Sequence, residues 1–85
     1  MRVLIPSALQ SYTGAQWVEA EGATVGAVLD DLERRYPGIR FRMVDEQGAI
    51  RRHMRVFWRR AMVFELSTPL AADGELMIVQ ALSGG

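Results

Sequence analysis

Thr24-Val25-Gly26-Ala27-Val28-Leu29-Asp30-Asp31-Leu32-Glu33-Arg34-Arg35-Tyr36-Pro37-Gly38 is the stretch around which the chain arranges itself. Val25, Val28, Leu29, Leu32 and Tyr36 fall at i, i+3, i+4, i+7 and i+11, one apolar stripe of an α-helix. Thr24 is a good N-cap, because its hydroxyl can accept from an orphan first-turn N–H. Pro37-Gly38 stops the helix. Asp30–Arg34 and Asp31–Arg35 are spaced i,i+4 on the polar side, where Asp30, Asp31 and Glu33 read as solubilising charge. Gly26 in the first turn is the weak point. A helix with a single apolar stripe must bury it against another layer.

The flanking sequence supplies strands for that layer. Arg2 to Ile5 is a short β-branched run closed by Pro6. Polar residues from Ser7 to Ala15 make the hairpin connection. Gln16 to Glu21 alternates, with Glu19 and Glu21 on one wet face. Beyond the helix, Ile39 to Val44 fits either a strand or a helical turn, and Asp45-Glu46-Gln47-Gly48 is a turn. Arg52 to Trp58 alternates again. Met54, Val56 and Trp58 share one face, and Arg55, Phe57 and Arg59 the other, which makes Phe57 a candidate exposed aromatic. Ala61 to Phe64 is a fourth strand, and Asp73-Gly74 turns into a fifth. Leu76 to Val79 is unbroken apolar sequence, suited to a central strand buried on both faces. The order β-β-α-β-β-β implies an α+β domain. Its mixed sheet has about five strands, with one main helix on one face. The first and last strands pair in parallel at the centre.

Composition narrows the function classes. The chain has 85 residues, 49% hydrophobic, which suits one domain with a modest core. It contains no cysteine, so a disulfide framework, a cysteine nucleophile and thiolate metal sites are excluded. The formal net charge of zero argues against bulk nucleic-acid binding. No stretch reaches the ~20 apolar residues of a membrane helix, and no signal-peptide pattern opens the chain. The expected location is cytoplasmic, with no membrane partner. Every basic residue is arginine.

The last residues, Ala81-Leu82-Ser83-Gly84-Gly85, carry the functional signal. Gly84 and Gly85 can lie extended in a channel too narrow for any Cβ. The only chemical group such an end offers is the Gly85 carboxylate. A diglycine end is also what a frayed terminus or an expression remnant looks like.

With the element order in place, the chain resembles the β-grasp, ubiquitin-like proteins, and among them the bacterial sulfur carriers. These include the small subunit of molybdopterin synthase, the thiamine sulfur carrier and the carriers that feed cysteine synthesis. The resemblance covers essentially the whole chain. It rests on the helix opening Thr24 to Leu29 with Leu32, on Pro37-Gly38-Ile39, on Leu70-Ala71-Ala72-Asp73-Gly74-Glu75-Leu76, and on the diglycine end. Ile5-Pro6, Leu9 and Tyr12-Thr13-Gly14 lean toward the cysteine-type carriers. One departure is Arg59-Arg60, where relatives often carry an Asn-Gly or Asn-Asp turn. Arginine tolerates positive φ poorly, so a different turn is expected there.

The resemblance implies a single β-grasp domain over residues 1–82 and a flexible tail over 83–85. It implies a carrier, not an enzyme. A ubiquitin-activating-type enzyme would adenylate Gly85 with ATP, a sulfur donor would convert it to a thiocarboxylate, and a sulfur-accepting synthase would take the sulfur. No cofactor is held by the domain itself. Gly84 would thread the partner's channel, and Leu82 and Ser83 would set the exit from the sheet. Strand alternation then places Leu76 and Ile78 inward and Met77 and Val79 outward near Phe57, as a partner-docking patch. Alternatives are a permanent molybdopterin synthase subunit, a protein modifier, or an interaction module with an idle tail.

Other features carry less. Arg51, Arg52, Arg55, Arg59 and Arg60, interleaved with Phe57 and Trp58, could bind single-stranded RNA, but a solvated face or an acidic protein partner suits the zero net charge better. His53 is the only histidine and has no neighbouring ligands, so no metal site is expected.

Overall fold

In the computed structural model, which describes residues 1–81, five strands form one sheet in the order β2-β1-β5-β3-β4. They are β1 (Arg2–Leu4), β2 (Trp17–Glu19), β3 (Met54–Trp58), β4 (Ala61–Val63) and β5 (Glu75–Gln80). β1 pairs in parallel with β5, and every other pairing is antiparallel. This is the β-grasp arrangement, with the first and last strands side by side at the centre.

The helix α2 (Val25–Arg35) is where the stripe places it. Val25, Val28, Leu29 and Leu32 are buried in one cluster with Val3, Val56, Leu76 and Ile78 of the sheet. Thr24 caps the helix, its side chain accepting from the Ala27 N–H at 3.1 Å. Gly26, the expected weak point, has a tertiary reason. Its N–H donates to the Leu66 carbonyl at 2.8 Å, and an added Cβ would lie 3.2 Å from that oxygen.

Two connections differ from the sequence reading, and a third settles an alternative that it left open. The first hairpin link is helical, a 3₁₀ turn over Ser7–Leu9 followed by α1 (Gln10–Thr13). It closes at Gly14 with φ 69° and buries Leu9. Ile39–Met43 resolves as a short helix, α3, rather than a strand. Its amides at Gly38 and Arg40 donate to the Glu33 carboxylate at 2.9 and 3.0 Å, so Glu33 is a cap rather than free surface charge. Arg59 and Arg60 form the β3–β4 turn themselves, with φ of 51° and 71°. The register joins Trp58 to Ala61 and leaves two residues between them. A two-residue loop that follows the right-handed twist of the strands is a type I′ or II′ turn, and with positive φ at both positions this one is of the I′ kind. Arg59 is held by an ion pair to Asp73 at 2.8 Å. Arg60 has no such partner among the described residues. Arg60→Gly is therefore expected to raise stability by about 1 kcal/mol, the left-handed strain of one side chain. A lower urea midpoint for the variant would contradict that account.

Asp31 is a further correction. It is buried, at 8% exposure, rather than part of the solvated helix face. Its carboxylate accepts from the Glu21 N–H at 2.9 Å and from Arg35 Nε at 2.9 Å, and it also meets Arg34. Asp30, freed from Arg34, lies 2.8 Å from Arg40 Nε as an ion pair. The Glu21 N–H, then the two guanidiniums, hold the Asp31 carboxyl below its ordinary value of 3.8 against the opposing effect of burial. A depressed folded-state pKa contributes stability above the unfolded value that disappears as pH falls through the folded one. Thermal stability should therefore decline as pH drops below about 4. Asp31→Asn should cost about 1 kcal/mol at neutral pH and flatten part of the acid decline. An unchanged acid limb in a pH series of melting curves would count against Asp31 as its source.

Candidate functional site

Side chains alternate across a sheet, so the register decides which residues share its open face. Leu4 stands opposite Trp17 on β2 and Met77 on β5. Met77 stands opposite Phe57 on β3, and Phe57 opposite Met62 on β4. Trp17, Leu4, Met77, Phe57 and Met62 thus form one apolar row across all five strands. On the other face Leu76 and Ile78 are fully buried. β5 is therefore central but buried on one face only, and the expectation of burial on both faces is overturned. Among the described residues no second layer covers the open face, so the hydrophobic run of β5 is a surface feature on alternate residues.

The predicted docking residues come together on this face. Met77 is 36% exposed, Val79 is half-buried, and Phe57 lies beside Met77. Phe57 is half-buried rather than openly exposed, since cross-strand neighbours Met77 and Met62 flank it. Val79 pairs with Arg55, which borders the row on the side toward the tail. On the opposite side Arg2 pairs with Glu75 at 2.8 Å, and its guanidinium sits 4.2 Å from the centre of the Trp17 ring. The row is thus a narrow apolar band between charged borders.

Leu4, Trp17 and Met62 belong to the band but were not singled out from sequence. Trp17 was accessible to that reading, because it shares a face with the wet Glu19 and alternates with buried Val18. Met62 and Phe64 alternate with buried Val63 in the same way, and Phe64 is the most exposed large apolar residue described, at 72%.

β5 ends at Gln80, opposite Met54. The Ala81 N–H donates to the His53 carbonyl at 2.8 Å and anchors the strand's last step. The predicted tail residues Leu82, Ser83, Gly84 and Gly85 lie outside the described residues. What the structure defines is their point of departure, at the end of the central strand next to the apolar band.

Nothing in the described surface is arranged for acid–base chemistry. Glu33 and Asp45 are both held below the ordinary carboxylate range. For Glu33 the cause is the Gly38 and Arg40 amides, and for Asp45 the Ala49 and Gln47 amides. Those are turn and cap contacts. Among the described residues, no group of three or more His, Cys, Asp or Glu could hold a metal ion. Nor is any described helix long and apolar enough to cross a membrane.

A five-stranded β-grasp sheet with a helix on one face and a central last strand leading to the chain end defines the ubiquitin-like class. Within it, the chain belongs to the ThiS family, whose model matches residues 3–85. It is 37% identical to the sulfur carrier protein CysO of Mycobacterium tuberculosis over 89 aligned residues. That alignment spans 98% of this chain and 96% of the relative. CysO of Amycolatopsis orientalis, solved in a BexX/CysO complex, superposes with a TM-score of 0.90 at 35% identity. The match covers 99% of this chain and 98% of that one. SAMP1 of Haloferax volcanii is more distant, at 28% identity and a TM-score of 0.78, covering 100% and 98%. The chain is a CysO-like sulfur carrier protein of the ThiS family.

Proposed function

We propose that this protein carries sulfur as a thiocarboxylate on Gly85 for a biosynthetic pathway of the cysteine type. The observation that supports this most is near-full-length similarity to CysO sulfur carriers, in a chain whose last residues are Leu82-Ser83-Gly84-Gly85. A Gly85 carboxylate oxygen attacks the α-phosphorus of ATP within a ubiquitin-activating-type enzyme, and pyrophosphate leaves. Hydrosulfide then attacks the acyl carbon, a C–S bond forms, the bond to AMP breaks, and a thiocarboxylate remains. Its sulfur is a stronger nucleophile than a carboxylate oxygen and attacks the substrate of an accepting synthase. The domain contributes docking through Met77, Val79 and Phe57, while Leu82 and Ser83 lead the glycines into the partner's channel. ATP and the sulfur donor are used through the partner, and the domain binds no cofactor of its own.

The test is an intact-mass spectrum after incubation with ATP, sulfide and a candidate adenylating enzyme from the same genome. A mass rise matching replacement of one oxygen by sulfur is the expected result. No thiocarboxylate and no acyl adenylate with any such enzyme would sink the reading. Similarity to SAMP1, a small archaeal modifier protein, keeps isopeptide attachment as a second reading, which a ladder of conjugates in cell extract would reveal. A permanent synthase subunit would present a broader apolar face than the charge-bordered band here.

A further inference from the structure

On the carrier reading above, we propose that the end of the sheet from which the tail departs is a basic docking surface. Its counterpart is an acidic rim around the active-site cleft of the adenylating enzyme.

The register puts the pieces in place. β3 runs antiparallel to β5 with Met54 opposite Gln80, so residues 51–55 gather where β5 ends. α3 reaches the same end, and a groove of about 360 Å³ there is lined by Phe41, Arg42, Arg51, His53, Met54 and Gln80. A neighbouring groove of about 430 Å³ continues past Arg52 and Arg55 to Phe64.

Apart from Arg60 in the β3–β4 turn at the other end of the sheet, the arginines elsewhere differ from those at this end. Arg2, Arg34, Arg35, Arg40 and Arg59 each lie within ion-pair distance of a carboxylate. Among the described residues, Arg42, Arg51, Arg52 and Arg55 have no such partner. Arg51 is fixed in place all the same: its Nε donates to the Phe41 carbonyl at 2.7 Å, and its guanidinium sits 4.5 Å from the Phe41 ring centre. Arg55 is likewise held, by the Arg52 and Met54 carbonyls. The nearby Asp45 carboxylate is occupied by the Gln47 and Ala49 amides. A chain of zero net charge has therefore concentrated unpaired positive charge around the foot of its reactive end.

Threading the tail requires a tail-first approach. A positive surface around the tail's foot, meeting a negative rim, orients the encounter and raises the association rate by roughly ten- to a thousandfold at low salt. A nucleic acid fits the same charges less well. The ring of Trp58 turns toward the core and that of Phe41 lies beneath Arg51, which leaves Phe64 as the open ring beside these arginines, and a single ring is a poor platform for successive stacked bases.

Arg42 and Arg52 are exposed and make no side-chain hydrogen bond among the described residues, so Arg42→Glu with Arg52→Glu should fold normally. Stopped-flow association of the full chain with the adenylating enzyme and ATP is the experiment. The doubly reversed variant should associate at least about tenfold more slowly at low salt, with a flatter salt dependence and a nearly unchanged dissociation rate. The corresponding double lysine variant should keep most of the wild-type rate. An unchanged association rate in the reversed variant overturns the inference while leaving the carrier cycle standing. So does a loss confined to binding of a single-stranded oligonucleotide. Failure of the wild-type chain to bind any such enzyme removes both.

Discussion

Gly22→Ala is expected to lower the unfolding free energy by about 3 kcal/mol or more, at the upper end of overpacking effects. An added Cβ would lie 2.5 Å from the Val28 nitrogen, 2.7 Å from the Ala27 carbonyl carbon and 2.8 Å from the Ala27 Cβ. Two of these three are backbone atoms of α2, and that helix is pinned by fully buried Val25, Val28, Leu29 and Leu32. The helix cannot retreat without opening the core. The segment leaving β2 cannot move outward without losing the Glu21 N–H bond to Asp31 and the Leu70 N–H bond to Ala23. Gly14→Ala is the natural contrast. Gly14 has φ 69° but nothing within 4 Å of an added Cβ, so it should cost only about 1 kcal/mol of backbone strain. Urea denaturation of both variants checks the pair. A Gly22→Ala loss under about 1 kcal/mol would mean that the close approach of loop and helix relaxes freely.

Removal of Gly84 and Gly85 is expected to abolish thiocarboxylate formation while leaving the fold intact. β5 is registered against β1 and β3 over Glu75–Gln80, and the Ala81 amide is the last described anchor. Stability should therefore change by less than about 1 kcal/mol. Gly85→Ala keeps the carboxylate but adds a methyl group in a narrow channel. A displacement of about 1 Å at a reacting group can cost roughly a hundredfold in rate, so adenylation by the partner should slow by that order. Intact mass and pyrophosphate release read the chemistry, and a melting curve reads the fold. Normal thiocarboxylation by the truncated chain would remove the diglycine from the mechanism. A stability loss well above 1 kcal/mol would show that the tail packs against the domain rather than projecting from it.

Much of this architecture is local and therefore legible in the chain. The α2 stripe, its Thr24 cap and its Pro37-Gly38 stop depend on residues within a few turns of one another, and the structure follows them closely. Alternation in β3 named its buried face correctly. The parallel pairing of the first and last strands follows from element order. The likeness to sulfur carriers was equally visible in short motifs along the whole chain.

The rest depends on residues that meet only after folding. Nothing local tells that Asp31 will find the Glu21 amide, or that Gly22 will face the backbone of α2. Arg59 and Arg60 show the limit of residue preference: the two-residue register between Trp58 and Ala61 imposed positive φ on side chains that disfavour it. The outer band joins residues 4, 17, 57, 62 and 77, and only the pairing of five strands makes them neighbours. The unpaired arginines likewise acquire a common place because β3 begins where β5 ends. Periodicity specifies which face of an element is apolar, since side-chain direction repeats every 3.6 or two residues. Which faces meet, and which stay open to a partner, is decided by register and closure between segments far apart in sequence.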